Sequence, residues 1–195
     1  MSYIYLFKGT TVTMNILLLG VSNVGKSVTG KLLASHLKCN FYDLDDEVKK
    51  KFGITLEKFV STGTLAERDA VRCDIINSFV STPSDKVIAV TPLSHILPIQ
   101  HVFSAENVFV IELLDSAENI FDRLVFSDEN DSIYKDDEYK NRYKEHYLNE
   151  IREDLEWYGS VYSSVKNKFD MNGRDPTRVT EELIQKYHLD SMIGG

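Results

Sequence analysis

The chain has 195 residues, 43% hydrophobic and 27% charged, the proportions of an ordinary globule large enough to bury a core without staples. Its formal net charge of −8 argues against nucleic acid or an anionic membrane as a bulk partner, while leaving room for a local basic pocket for phosphates. Two cysteines, Cys39 and Cys73, show no metal-ligand spacing and make no disulfide framework, and no apolar run reaches the roughly 18 residues of a membrane span, so a reduced, cytoplasmic, monomeric protein is expected.

Met1 to Thr13 lack the basic start and long apolar stretch of a signal peptide. They read as an N-terminal extension, either an extra edge segment or a stretch ahead of a working start at Met14. Residues 14–195 read as one domain. The apolar run Asn15–Leu19 predicts a buried strand. Gly20-Val21-Ser22-Asn23-Val24-Gly25-Lys26-Ser27 follows at once as G-x-x-x-x-G-K-S, a phosphate-binding loop in the strand-to-helix context its chemistry needs. Gly20 and Gly25 let the backbone curl so that successive N–H groups face inward as an anion nest. Lys26 brings a point charge to the terminal phosphates, and the Ser27 hydroxyl can ligate Mg²⁺. The helix behind the loop, Lys26–Leu37, adds the partial positive charge of its N-terminus. Gly20, Asn23, Val24, Gly25, Lys26, Ser27 and Val28 are thus candidates for holding nucleotide.

A second strand at Asn40–Tyr42 runs into Asp43-Leu44-Asp45-Asp46. Carboxylates one residue apart at a strand's carboxyl end point the same way, into the cleft where open α/β sheets bind ligands. One can hold the hydration shell of Mg²⁺ while the other accepts a hydrogen bond from a substrate hydroxyl; equally, Asp45 and Asp46 can cap the next helix. Helices are predicted at Asp45–Phe52, Thr64–Val80, Ser116–Val125, with Ser116 as N-cap, and Thr177–His188, with Pro176 at its start. Further strands are predicted at Lys86–Val90, Asn107–Glu112 and Lys168–Met171, the last followed by an Asn172-Gly173 turn. This alternation predicts a three-layer α/β/α fold around a five-stranded parallel sheet. Ser127–Asp137 is polar and acidic and reads as an exposed flexible loop. After it, Tyr139, Tyr143, Tyr147, Ile151, Leu155, Tyr158 and Tyr162 recur at helical spacing, one face of a single long helix.

The two constellations together make the chain resemble the shikimate kinases, within the nucleoside-monophosphate-kinase-like fold. The likeness is strongest over Leu17–Asp46, where the strand, the GKS loop, the L-A-x-x-L helix and F-Y-D-x-D stand in order. It continues through Gly53, Gly63 to Arg68 and Val87-Ile88-Ala89. Near the end, Asn172-Gly173-Arg174-Asp175-Pro176 resembles the family's adenine-contacting N-x-R-x-P turn. The resemblance implies an ATP- and Mg²⁺-dependent kinase that phosphorylates a hydroxyl of a small, anionic acceptor, with a mobile lid near 127–137. Lys26, Asp43 and Asp45 would be catalytic, with Asp43 and Ser27 serving the metal. Asp45, Arg68 and Thr91 would meet the acceptor, Arg68 through an anionic group. Arg123 and Arg174, with Pro176, would flank adenine.

The sequence departs from that pattern on the acceptor side. Three family glycines after the third strand correspond to Thr91-Pro92-Leu93, where Pro92 has no N–H and the side chains add bulk. The lid carries Lys135 but no arginine. A later acceptor-binding arginine aligns with Tyr158, and Arg152 or Arg142 are the candidates to replace it. Two alternatives follow from these losses. One is a nucleotide-binding protein without turnover; the other is a kinase for a sugar or nucleotide, since fold does not fix function.

Overall fold

The computed structural model describes residues 13–193; the expected extension at Met1 to Thr13 lies outside them except for its last residue. In chain order the described residues form β1 (Asn15–Leu19), α1 (Lys26–Leu37), β2 (Asn40–Asp43), α2 (Leu44–Phe52), α3 (Leu56–Val60), α4 (Leu65–Val80), β3 (Lys86–Ala89), β4 (Val108–Leu114) and α5 (Ala117–Arg123). They continue with β5 (Phe126–Ser127), β6 (Ile133–Tyr134), α6 (Asp137–Arg142), α7 (Lys144–Val161), β7 (Asn167–Asp170) and α8 (Pro176–Tyr187). Strands β2-β3-β1-β4-β7 make one sheet, parallel throughout.

The central strand shows why the sheet has helices on both faces. All of β1 is buried, and its side chains alternate between two cores, as the pleat requires. Ile16 and Leu18 join Leu33 of α1 and Val179 and Leu183 of α8. Leu17 and Leu19 join Val48 of α2 and Cys73 and Ile76 of α4 on the other side. Each apolar strand of this kind is stable only when covered twice, so the chain needs helices alternating with strands. Gly30 lets α1 approach β2, because a Cβ there would come within 2.5 Å of the Phe41 ring. Lys86 is buried with its ammonium on Asn15 Oδ1 and the carbonyls of Phe79 and Thr82, tying β3 to the carbonyl-rich end of α4.

Four local results differ from the sequence reading. The tyrosine stripe is not one helix: the chain breaks at Tyr143, which closes α6 and opens α7. The break follows from packing, since Tyr139 and Tyr147 both pack around the Phe126 ring, at 5.7 and 5.8 Å between centroids. The acidic segment is not wholly irregular, because β5 and β6 pair as a short antiparallel hairpin. The short helix α3 has no apolar period to reveal it and is held by Thr55, whose hydroxyl accepts from the Lys58 N–H. Helix α5 ends at Arg123 rather than Val125.

Candidate active site

Strand β1 delivers the chain to the carboxyl edge of the sheet, and the loop that follows is set by its backbone. Gly20 and Gly25 have φ of 135° and 114°, conformations open to glycine. A Cβ on Gly20 would also stand 2.5 Å from the Leu113 carbonyl oxygen. Asn23 takes the left-handed region as well, and Val24 buries its side chain in the core beneath the loop. Lys26 is buried and donates to the carbonyls of Gly20 and Val21 at 2.9 and 2.7 Å. Burial pushes its pKa down to about 8, against the opposing pull of Asp45 and Asp43.

Asp43 ends β2 and begins α2. Its Oδ1 accepts the Asp45 N–H at 3.1 Å as the helix cap, and its Oδ2 accepts the Ser27 hydroxyl at 2.5 Å. Helix capping therefore falls to Asp43, which frees Asp45. A hydroxyl and a carboxylate held this close are hard oxygen donors that fit Mg²⁺; Ser27 and Asp43 are the residues that would hold it. Among the described residues no group of three or more His, Cys, Asp or Glu forms a metal cluster.

Lys26, Ser27, Asp43, Asp45, Thr91 and Asn23 line one cavity of about 460 Å³, roofed by Phe126, Ser127, Asp131 and Ile133 of the lid hairpin. Burial raises the Asp45 pKa, opposed first by the neighbouring Thr91 hydroxyl and then by Arg72 and Lys26. Beyond each other, Asp45 Oδ1 and Thr91 Oγ1 are buried without a hydrogen-bond partner. Pro92 also lines the cavity. Leu93 turns into the core, its N–H donating to the buried Tyr162 hydroxyl at 2.8 Å. A second cavity of about 290 Å³ brings together Gly25, Val28, Arg123, Arg174 and Pro176, the expected adenine end.

Sequence reasoning missed several groups. Asp115 is buried and accepts from Arg123 Nη2 and Asn119 Nδ2, each at 2.7 Å, and from the Gly173 N–H. Burial alone would raise its pKa, but these bonds outweigh it and hold the carboxyl below its usual value. Arg123 is thereby fixed beside the loop, with Nε on the Asn23 carbonyl at 3.3 Å. Arg174 is tied to Glu182 and to the Asp170 and Met171 carbonyls. On the acceptor side, Arg68 does not line the cavity; its guanidinium donates to the carbonyls of Thr62 and Gly63. Arg142 and Arg152 are exposed and paired with Glu138 and Glu118, so neither occupies the place left by Tyr158. Tyr158 itself lies by Ser94, 3.5 Å between hydroxyls.

Arg72, one helical turn after Arg68, is the arginine beside Asp45. It is buried, with Nη2 3.8 Å from Asp45 Oδ1, Nη1 3.5 Å from buried Asp69 and its guanidinium over the Phe59 ring. Asp69 also accepts the N–H groups of Ser94 and His95, joining α4 to the loop that carries Thr91. The i, i+3 spacing of Asp69 and Arg72 was visible in the sequence, but their burial was not.

The shikimate kinase family profile matches residues 22–188. The shikimate kinase of Thermodesulfovibrio yellowstonii is 25% identical over 174 residues, covering 89% of this chain and 94% of that one. A 75-residue match, 28% identical, to the pentafunctional AROM polypeptide of Schizosaccharomyces japonicus covers 38% of this chain and only 5% of that protein. The shikimate kinase structure from Bacteroides thetaiotaomicron superposes with a TM-score of 0.71 at 17% identity, covering 90% of this chain and 98% of that one.

Proposed function

The chain belongs to the shikimate kinase family as a divergent member, and we propose that it transfers the γ-phosphoryl group of ATP to a hydroxyl of a small acceptor in a Mg²⁺-dependent reaction. The observation that carries this reading is one cavity in which the phosphate loop, the Ser27–Asp43 pair and the buried Asp45 face one another. Lys26 turns from its carbonyls to the phosphates, where its charge offsets charge developing on the transferred group. Magnesium, held through Ser27 and Asp43, would supply further neutralisation of phosphate oxygens. Asp45 accepts the proton of the acceptor hydroxyl as its oxygen bonds to γ-phosphorus and the bond from phosphorus to the β–γ bridging oxygen breaks, releasing ADP. The hairpin roof excludes water that would otherwise compete as acceptor. Arg123, Val28, Arg174 and Pro176 flank the adenine.

The experiment is acceptor-dependent ADP release, measured across hydroxy acids, sugars, polyols and nucleosides with ATP and Mg²⁺. Release with at least one of them, lost in Asp45→Asn, is expected. A second reading has its own support: Pro92 and Leu93 offer no close-approach backbone like a glycine run. Tight ATP binding with no acceptor-dependent release from any compound would favour that reading, a nucleotide-binding protein without turnover.

A further inference from the structure

The charges that line the main cavity are Lys26, Lys49, Asp43, Asp45 and Asp131 among the described residues. We propose that the acceptor is an uncharged polyhydroxylated molecule and that this site rejects carboxylates. The inference rests on the kinase reading above and narrows its substrate class, against the anionic acceptor that the family resemblance implies. Two of the five charges belong to the nucleotide end: Lys26 to the phosphates and Asp43 to the Ser27 pair. What remains for the acceptor is Asp45, Asp131 and Lys49, two carboxylates against one ammonium.

That ammonium is already committed. Lys49 lies 2.8 Å from Asp46, and its pKa is raised first by that hydrogen bond, with smaller contributions from Asp131 and Asp45. Four arginines could have compensated, and none is free to do so. Arg68 does not line the cavity and donates to two backbone carbonyls, and Arg142 and Arg152 are paired on the surface. Arg72 sits behind Asp45 rather than in the cavity, its one charge shared between the carboxylates of Asp45 and Asp69. A carboxylate entering here would face two like charges with no unshared cation, an arrangement that selects by repulsion. Hydroxyl groups meet a different environment. The Asp45 carboxylate and the Thr91 hydroxyl lie side by side in the lining, an acceptor and a donor for substrate hydroxyls, and Leu56, Ala89, Pro92 and Ile133 supply apolar walls for the carbon skeleton of a polyol.

The test uses matched pairs that differ in charge: shikimate and its methyl ester, gluconate and glucitol, glycerate and glycerol. Each is assayed for ADP release with the full chain and Mg²⁺·ATP, and for calorimetric binding in the presence of Mg²⁺·ADP. In the productive pair the uncharged member is expected to exceed its acid at least about tenfold in kcat/KM or in affinity. Asp131→Asn keeps a carbonyl acceptor for the Leu56 N–H and tolerates the left-handed backbone of that position; it should narrow the ratio by improving the acid. An acid preferred over its uncharged partner in either assay, or no uncharged member bound at all, would overturn the proposal. Binding of an uncharged member without any ADP release would leave the charge preference standing and instead defeat the kinase reading.

Discussion

An ammonium group held against two backbone carbonyls in a buried loop costs the folded state free energy. Lys26 is that group, with its pKa lowered to about 8 from 10.5. The folded protein without ligand therefore binds this proton less tightly than the unfolded chain does. The cost is fully present below pH 8 and is relieved as pH rises toward 10.5. The stability of Lys26→Met relative to the parent should accordingly be highest below pH 8 and fall as pH rises toward 10.5. A thermal-unfolding series of both proteins against pH checks this; a stability difference that does not change over this range would contradict it.

The two site carboxylates should separate in the same single-residue tests. Asp43→Asn should weaken Mg²⁺-dependent turnover with acceptor KM little changed, whereas Asp45→Asn should damage acceptor use. Asp45 works ionised, and burial raises its pKa, so the acid limb of kcat/KM should lie above the ordinary carboxylate range. Arg72→Met removes the charge 3.8 Å away and should move that limb up by roughly one pH unit. An unmoved limb would exclude Arg72 from holding Asp45 ionised.

At the scale of elements, the β5–β6 hairpin and the loop after β3 both line the cavity. The hairpin of β5 and β6 carries Asp131 at its turn, and that carboxylate accepts the Leu56 N–H at 2.8 Å, docking the lid on the first turn of α3. Asp131→Ala should free it, with cleavage in 128–137 by limited proteolysis accelerating several-fold and Mg²⁺·ATP still protecting. Equal cleavage rates would show that this contact does not hold the lid. The β3 loop is fixed from the other side, where the Tyr162 hydroxyl takes the Leu93 N–H. Tyr162→Phe leaves that N–H buried without a partner and should cost about 1–3 kcal/mol in denaturant unfolding. The sequence showed these elements unevenly. The lid's polarity was legible, but a hairpin of two-residue strands has too little pattern to detect. The tyrosine stripe kept its helical period across Tyr143 although the helix does not, because α6 turns to pack on Phe126.

For the whole molecule, the sheet and the glycine loop after β1 were legible because they rest on local signals. A doubly buried strand such as β1 is a continuous apolar run, and the phosphate loop needs its glycines and lysine at fixed spacing. The acceptor side was not legible, because it depends on which way long side chains turn after packing. Arg68 and Arg72 sit four residues apart on α4 with identical chemistry, yet one reaches two carbonyls at the surface and the other is buried beside Asp45. Asp115 and Asp69, both buried hubs of hydrogen bonds, look in sequence like ordinary surface carboxylates. The proposed phosphoryl transfer depends on the phosphate loop holding ATP through Lys26. Calorimetric titration of Mg²⁺·ATP into the parent and Lys26→Met at pH 7 measures this most directly: the parent should bind with a Kd in the micromolar range and the mutant at least about a hundredfold more weakly, and equal affinity would contradict the account.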